Sequence, residues 1–435
     1  MSEAATAPGA VRIAETVPER NLRVTGQRVG AWFVIKYIAA LTGLWVALIT
    51  PASVTLALRV GQIDPTGKAA SLALVASVGA ACALFANPLF GALSDRSTSR
   101  FGQRKPFILA GFTIGVLAVL GIGLAPTVAM VAAGWAVAQI AFNASVAALI
   151  AILPERVPEG LRGRVSGFMG MTGQVGVVAG TFLIQIVGTT GAAMFIVPAV
   201  LGGALLLPFV LTLREAQRTR EEVGRITAAS LIGSLWINPF RHRDFGFAWI
   251  GRFLVWTSLY LLTTYKTYFL IDHLGYTTAS VAPILTLAMF VLAVGVAVSS
   301  ISGGWLSDRL GRRKVFVVLA SLLFVAAMLV VAFSATVEGF LIGIALAGLG
   351  NGLYMGVDYA LVAQVLPDST SEAGKGMGVF NLSSTIPQTI APMIAPALLA
   401  IGATGAAANY TSLYLSAAVL AMLGALFVTF IRRVR

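Results

Sequence analysis

Charge is what this sequence has least of. Only 11% of its 435 residues are Asp, Glu, Lys or Arg, against about a quarter in an average soluble chain. There is too little polar surface to coat a water-soluble body of this length, which excludes a cytosolic enzyme. Cysteine is nearly absent too: Cys82 stands alone, so no disulfide forms within the chain. The two histidines, His242 and His273, are too far apart in sequence for metal-ligand spacing, so no metal or other cofactor is expected. A phosphate-cradling glycine loop and a catalytic triad are also missing, leaving an ATP-driven pump or a membrane enzyme without support. The first thirty residues lack the apolar core and small-residue cleavage site of a secretory signal. The expectation is a cytoplasmic segment, 1–30, ahead of the first span.

What fills the space is apolar residues, 58% of the chain. A bilayer crossing takes roughly 20 of them. Residues 106–154 and 165–213 each run 49 positions without a charge, the length of two crossings and a tight turn. The turns fall at 123–126 and 188–191, where glycine and proline end helices. The uncharged run 376–431 reads the same way, with its turn near 402–409. Six further spans, at about 32–59, 70–94, 246–271, 278–303, 315–336 and 339–364, bring the total to twelve. Backbone polar groups in hydrocarbon must bond within the segment, and the alternating ten-residue segments of a barrel are missing. The fold class is an all-α integral membrane bundle.

Basic residues set its orientation. With both termini on one side, the loops of that side hold 25 of the 30 Lys and Arg residues, while the opposite loops hold Arg59 and Lys68. The basic side is therefore cytoplasmic, in a multi-pass cell membrane protein. The net charge of +13 is a topology signal with some attraction for anionic lipid. No basic recognition module accompanies it, and nucleic-acid binding is not expected.

The chain also repeats itself. Gly91-Ala-Leu-Ser-Asp95-Arg96 returns 213 positions later as Gly304-Trp-Leu-Ser-Asp308-Arg309. Leu153-Pro154-Glu155, Glu159, Arg162 and Gly163 return at the same displacement as Leu366-Pro367-Asp368, Glu372, Lys375 and Gly376. A third echo pairs 188–193 with 402–407. These matches divide the chain into six-helix halves, 31–213 and 245–435, joined by a cytoplasmic linker, 214–244. Duplication of this kind marks transporters that hold substrate between their halves.

Each GxLSDR copy is followed by glycine and a basic cluster, Gly102-Gln-Arg104-Lys105 and Gly311-Arg312-Arg313-Lys314. This pattern resembles the signature loop of the major facilitator superfamily over the whole chain. The first copy, from Asp95 to Phe107, is similar to the loop of sucrose/proton symporters and, more loosely, of glycoside-pentoside-hexuronide cation symporters. The resemblance implies a monomeric transporter whose halves rock about a central cavity lined by helices 1, 4, 7 and 10. It also implies gating residues: Gly91, Asp95, Arg96, Arg104, Gly304, Asp308, Arg309 and Arg312 in the two loops, facing Lys375 at the start of helix 11 and Arg162 and Arg164 at the start of helix 5. A helix amino terminus carries partial positive charge and unpaired N–H groups, so Asp95 and Asp308 can latch those starts reversibly.

Ionisable groups inside a membrane are expensive and point to function. Lys36 lies close enough to the cytoplasmic interface to snorkel. Arg252 in helix 7 and Asp358 in helix 10 each lie about eight residues, roughly 12 Å, from the cytoplasmic ends of their helices, so the two can meet. Burial favours the neutral carboxyl and a neighbouring guanidinium the charged one. A pair that opens and closes therefore couples movement to protons, whereas a permanent bridge merely satisfies two charges. Trp256 and Tyr260 fall on one face of helix 7 and suit a sugar ring. Lys266, with Tyr265 and Tyr268, sits nearer the outer end and reads either as substrate contact or as an interfacial belt. Gln139, Asn143, Gln174, Asn351, Tyr354, Asn381 and Gln388 complete the candidate substrate set, with helix–helix hydrogen bonding the alternative for each. First-half spans lack the carboxylates of a melibiose-type sodium site, which disfavours sodium. The expectation is proton-coupled uptake of a sugar or glycoside. Proton antiport of a drug-like or metabolite substrate, including an organic anion, is the alternative.

Overall fold

The computed structural model describes residues 29–215, 243–365, 373–403 and 408–432. The amino-terminal segment 1–28 and most of the linker, 216–242, lie outside the described residues. Twelve long helices account for nearly all of the rest: α1 Ala31–Ile63, α2 Lys68–Asp95, α3 Lys105–Leu124, α4 Val128–Arg156, α5 Glu159–Val187, α6 Ala193–Thr212, α7 Arg243–His273, α8 Val281–Leu310, α9 Arg313–Ala332, α10 Val337–Val365, α11 Ala373–Ala400 and α12 Tyr410–Thr429. Eleven are apolar and long enough to cross a membrane among the described residues. The exception, α11, carries Pro387, Pro392 and Pro396 and a polar stretch between Asn381 and Thr389.

Helix ends follow local chemistry. The Thr127 hydroxyl accepts the Met130 N–H at the start of α4, and Asn409 accepts the Ser412 N–H at the start of α12. Gly311, at φ +62°, ends α8 in the left-handed region open to glycine. One expectation needs correction here. The GxLSDR residues are not loop: Gly91–Asp95 form the last turn of α2, and Gly304–Arg309 lie within α8. Ala, Leu and Ser continue a helix readily past the hydrocarbon, so only the basic residues that follow make the loop.

Two helices change pitch near their outer ends. Pro51 has no N–H to give, and α1 answers with a π-turn over Pro51–Thr55, closed by the Leu56 N–H to the Pro51 carbonyl. In α7 a second π-turn covers Phe269–His273.

The two halves are built alike. In the first, α1 lies against α5 and α6, and α4 against α2 and α3; in the second, α7 lies against α11 and α12, and α10 against α8 and α9. Small residues set the closest crossings. A Cβ on Gly43 would stand 2.5 Å from the Gly202 carbonyl oxygen where α1 crosses α6. The matching crossing of α7 and α12 places Gly251 and Gly424 in the same relation, 2.9–3.1 Å. Without a hydrophobic drive between helices in lipid, such backbone proximity carries much of the packing energy. Across the halves, α2 lies on α11 and α5 on α8.

The start of α3 is held by a residue with no obvious role in the sequence. The Glu215 carboxylate, just past α6, accepts the backbone N–H groups of Arg104 at 3.0 Å and Lys105 at 2.8 Å. An anion there satisfies both the orphan donors and the helix dipole. Gly102, at φ +106°, leaves room for it, since a Cβ would meet Glu215 Oε2 at 2.5 Å.

Two outcomes follow. Gly43→Val or Gly424→Val should lower thermal stability in detergent by about 1–3 kcal/mol through overpacking; unchanged melting would remove these crossings as packing points. Burial pushes the Glu215 carboxyl above the usual carboxylate range, against the backbone N–H groups and Arg156 that favour the anion. A carboxyl raised on folding stabilises most below its unfolded value, about 4.3, and that contribution fades as pH climbs from there to the folded value. Glu215→Gln keeps an acceptor without titrating, so its melting temperature should vary less over that window than the wild type's. An identical pH profile would show that folding does not raise the Glu215 carboxyl.

Candidate functional site

At the cytoplasmic face, the first-half gating residues form a network inside their own half. The Arg104 guanidinium pairs with both Asp95 and Glu155 and donates to the Ser94 hydroxyl. Its Nε lies 3.3 Å from Glu155 Oε2. Gln103 Nε2 donates to the Asp95 backbone carbonyl at 3.1 Å. Burial works against the Arg104 charge, but Glu155 and Asp95 outweigh it and hold its pKa above the ordinary arginine value. The Asp95 side chain stays 59% exposed, turned toward the cytoplasmic side. Gly91 lies in the last turns of α2 with Arg96 capping them, and Arg164 is exposed in the first turns of α5. In the second copy, a Cβ on Gly304 would stand 3.5 Å from the Gly356 carbonyl oxygen of α10, and Arg309 and Arg312 are exposed. The side chains of Arg162, Asp308 and Lys375 lie outside the described residues, and with them the expected contacts between Asp95 and α11 and between Asp308 and α5.

Deeper in the second half, the two intramembrane charges meet. Arg252 Nη1 stands 2.8 Å from Asp358 Oδ2, with both side chains at most 5% exposed. The guanidinium also lies over the Phe380 ring, 4.2 Å from its centroid, and its Nη2 is 3.5 Å from the Ser384 hydroxyl. Thus α7, α10 and α11 converge on one ion pair. One turn along α7, the rings of Trp256 and Tyr260 sit 5.7 Å apart, and Trp256 is 6.0 Å from the Arg252 guanidinium. The buried indole Nε1 of Trp256 has no hydrogen-bond partner among the described residues. Such a donor is suited to a ligand oxygen. Asn351 and Tyr354 are buried on α10, within two turns of Asp358.

The remaining polar candidates divide. Asn143 donates to both the side chain and the carbonyl of Gln139, at 3.0 and 2.8 Å, and Asn87 of α2 approaches it at 3.5 Å. These amides join helices. Gln174 on α5 and Gln388 on α11 are half-buried, and Asn381 is exposed.

Lys266 and its tyrosines occupy a place that neither sequence reading foresaw. They are at most 1% exposed, and they stitch α7 to the other half. Lys266 Nζ donates to the Ser53 carbonyl at 3.1 Å and to its own Thr263 carbonyl at 2.6 Å. Tyr265 donates to the Ala69 carbonyl at 3.1 Å, and Tyr268 to the Ala57 carbonyl at 2.8 Å. Above them Lys68 pairs with Asp272, whose second oxygen accepts the Tyr410 hydroxyl at 2.7 Å. Ser77 adds a bond to the Thr389 carbonyl at 2.9 Å. The outer side is therefore sealed by contacts between halves. Pro51 in a span, the one visible clue, marks where α1 departs from regular pitch.

Comparison with known proteins gives this architecture its place. The profile of the Major Facilitator Superfamily matches residues 37–302 and 282–435. The chain is similar in fold to the nucleoside transporter NupG, with a TM-score of 0.72 at 14% identity over 92% of this chain and 98% of that one. A D-xylose-proton symporter gives 0.68 at 15% identity over 93% and 99%. A bacterial homolog of the human lysosomal transporter Spinster, inward-facing and unoccupied, gives 0.65 at 15% identity over 93% and 96%. At these identities the likeness establishes fold. A local stretch of 114 residues is 30% identical to Escherichia fergusonii MdtD, whose name places it in multidrug resistance. That stretch spans 26% of this chain and about a fifth, 22%, of MdtD. With that profile matching nearly the whole of its length, the chain belongs to the major facilitator superfamily.

Proposed function

We propose that this transporter moves a sugar or glycoside inward together with protons, by alternating access, and that Asp358 with Arg252 carries the coupling. The observation that supports this most is the buried ion pair beside an aromatic wall. An acid desolvated in the bundle stays ionised while the guanidinium faces it. When a shift of α7 against α10 inside the second half, accompanying the change of access, parts the two, the same acid is left in a low-dielectric site and takes a proton. Proton binding is thereby tied to conformation. Trp256 and Tyr260 offer ring faces for stacking, the indole Nε1 a donor without a partner, and Asn351 and Tyr354 further polar groups on α10. The likeness of the first signature loop to sucrose/proton and glycoside-pentoside-hexuronide symporters agrees with a sugar-class substrate.

A second reading has one specific support, the 30% identity to MdtD over 114 residues. It makes the chain a proton antiporter exporting a drug-like or metabolite substrate, with the same ion pair serving the opposite direction. The Asp95–Arg104–Glu155 network fits either reading as the cytoplasmic gate that Asp95 and its second-half counterpart Asp308 would close.

Proteoliposome flux under an imposed pH gradient tests the proposal, with sugars and glycosides in one arm and lipophilic cations in the other. Asp358→Asn should abolish gradient-driven accumulation while leaving exchange at equal concentrations intact; accumulation that survives the substitution removes Asp358 from the mechanism. Flux of lipophilic cations without sugar flux decides for export. Stability supplies a companion measurement. Removing one member of a buried pair leaves an uncompensated charge and costs about 3–5 kcal/mol, whereas removing both costs far less. Arg252→Gln alone should therefore lower the melting temperature more than the Arg252→Gln, Asp358→Asn double variant. Additive losses would show that the two side chains do not depend on each other.

A further inference from the structure

The contacts that seal the outer side share a chemical asymmetry. Asp272, at the quarter-exposed outer edge of α7, accepts from Lys68, but the three buried α7 side chains that cross the seam are all donors: the Lys266 ammonium and the Tyr265 and Tyr268 hydroxyls. Their first-half partners are all main-chain carbonyls, of Ser53, Ala69 and Ala57. Lys266 is 1% exposed and is held by carbonyl oxygens alone. The nearest acid along α7, Asp272, is engaged by Lys68 and by the Tyr410 hydroxyl. Two further buried hydroxyls border this seam without hydrogen-bond partners among the described residues: Thr55, on the same π-turn as Ser53, and Thr267, next to Lys266.

Opening the outer side separates these sets. The Thr263 carbonyl moves with Lys266 because both belong to α7, but the Ser53 carbonyl stays with α1. The ammonium then keeps one of its two acceptors, and both phenols lose their first-half partners. What remains on the α7 wall is a full positive charge beside the Tyr268 hydroxyl, with the Tyr265 hydroxyl keeping its 3.3 Å contact to the Pro392 carbonyl of α11 and Asp272, toward the outer edge, still accepting from Tyr410. An ammonium so deep in the bundle cannot remain half-solvated cheaply. The complementary guest is a group with several acceptor oxygens and a negative charge.

We propose that Lys266, with Tyr265 and Tyr268, forms an anion-recognition site in the outward-open state, and that the transported substrate carries a carboxylate or phosphate group that this site reads. The inference rests on the alternating-access reading above and narrows its substrate to acidic sugars or glycosides. In the closed state the carbonyls of α1 and α2 occupy the donors, so the empty transporter reseals by exchanging the anionic group for Ser53, Ala69 and Ala57.

The test is thermal stabilisation of the purified full chain with no gradient applied, so that failure of proton coupling leaves the readout intact. The probes are D-glucuronate and D-glucose 6-phosphate against D-glucose, and benzoate against benzyl alcohol. At least one anion should raise the melting temperature more than its neutral counterpart in the wild type. Loss of a charge-assisted hydrogen bond should weaken that apparent affinity roughly tenfold or more in Lys266→Met, while Lys266→Arg, which keeps the charge, retains most of it. Glucuronate against glucose 6-phosphate separates a carboxylate from a phosphate preference. Lys266→Gln serves in place of Lys266→Met if the latter shows no cooperative melting. The proposal is overturned if no anion outperforms its neutral counterpart, or if anion stabilisation is undiminished in a folded variant without the lysine charge.

Discussion

A charge in hydrocarbon must have its partner beside it, and this constraint organises the transporter. With so few charged residues, the chain places nearly all of them in cytoplasmic loops, where water and lipid headgroups carry the cost of hydration. Those it sends into the bundle arrive with company. Arg252 and Asp358 neutralise each other at 2.8 Å under a phenylalanine ring. Lys266 takes two carbonyl oxygens. The two arrangements differ in how they bear on motion. The Arg252–Asp358 pair lies within one half and survives rocking unless a helix shifts inside that half, whereas the Lys266 bond to Ser53 spans the seam and breaks whenever the outer side opens.

That difference separates two tasks in one molecule. A bond across the seam reports the state of the gate. A bond inside a half reports local rearrangement of α7, α10 and α11 around the substrate. In this reading the aromatic wall at Trp256 and Tyr260 connects them, since α7 carries Arg252 at one end of the cavity, Lys266 toward the other, and the two rings between. The network of Arg104, Asp95 and Glu155 stiffens the cytoplasmic loop, with Glu215 fixing the loop's backbone to the helix it starts.

Much of this was legible in the sequence. The division into two halves appears in space as matched crossings, Gly43 on Gly202 and Gly251 on Gly424, though these glycines lie off the 213-residue register of the repeated motifs. Turns at 123–126 and 188–191 fall between helices because glycine and proline act locally there. The meeting of Arg252 and Asp358 was legible through cost, since two opposite charges at equal depth have strong reason to pair. Less visible was anything set by the other half. Lys266, Tyr265 and Tyr268 look like an interfacial belt along α7, and only the approach of the α1 π-turn makes them a seam. Glu215 looks like one more linker charge until the fold brings it to the start of α3. The GxLSDR residues read as loop because their charges end the apolar run, yet helical hydrogen bonding continues past the hydrocarbon.

The central claim is that Asp358 changes protonation as the halves exchange access. Infrared difference spectroscopy on the reconstituted transporter, recorded across a pH jump with substrate present, observes that carboxyl directly. The account predicts a protonated-carboxyl C=O band that appears on acidification and is missing from Asp358→Asn. A transporting wild-type sample with no band assignable to Asp358 in any state would contradict it.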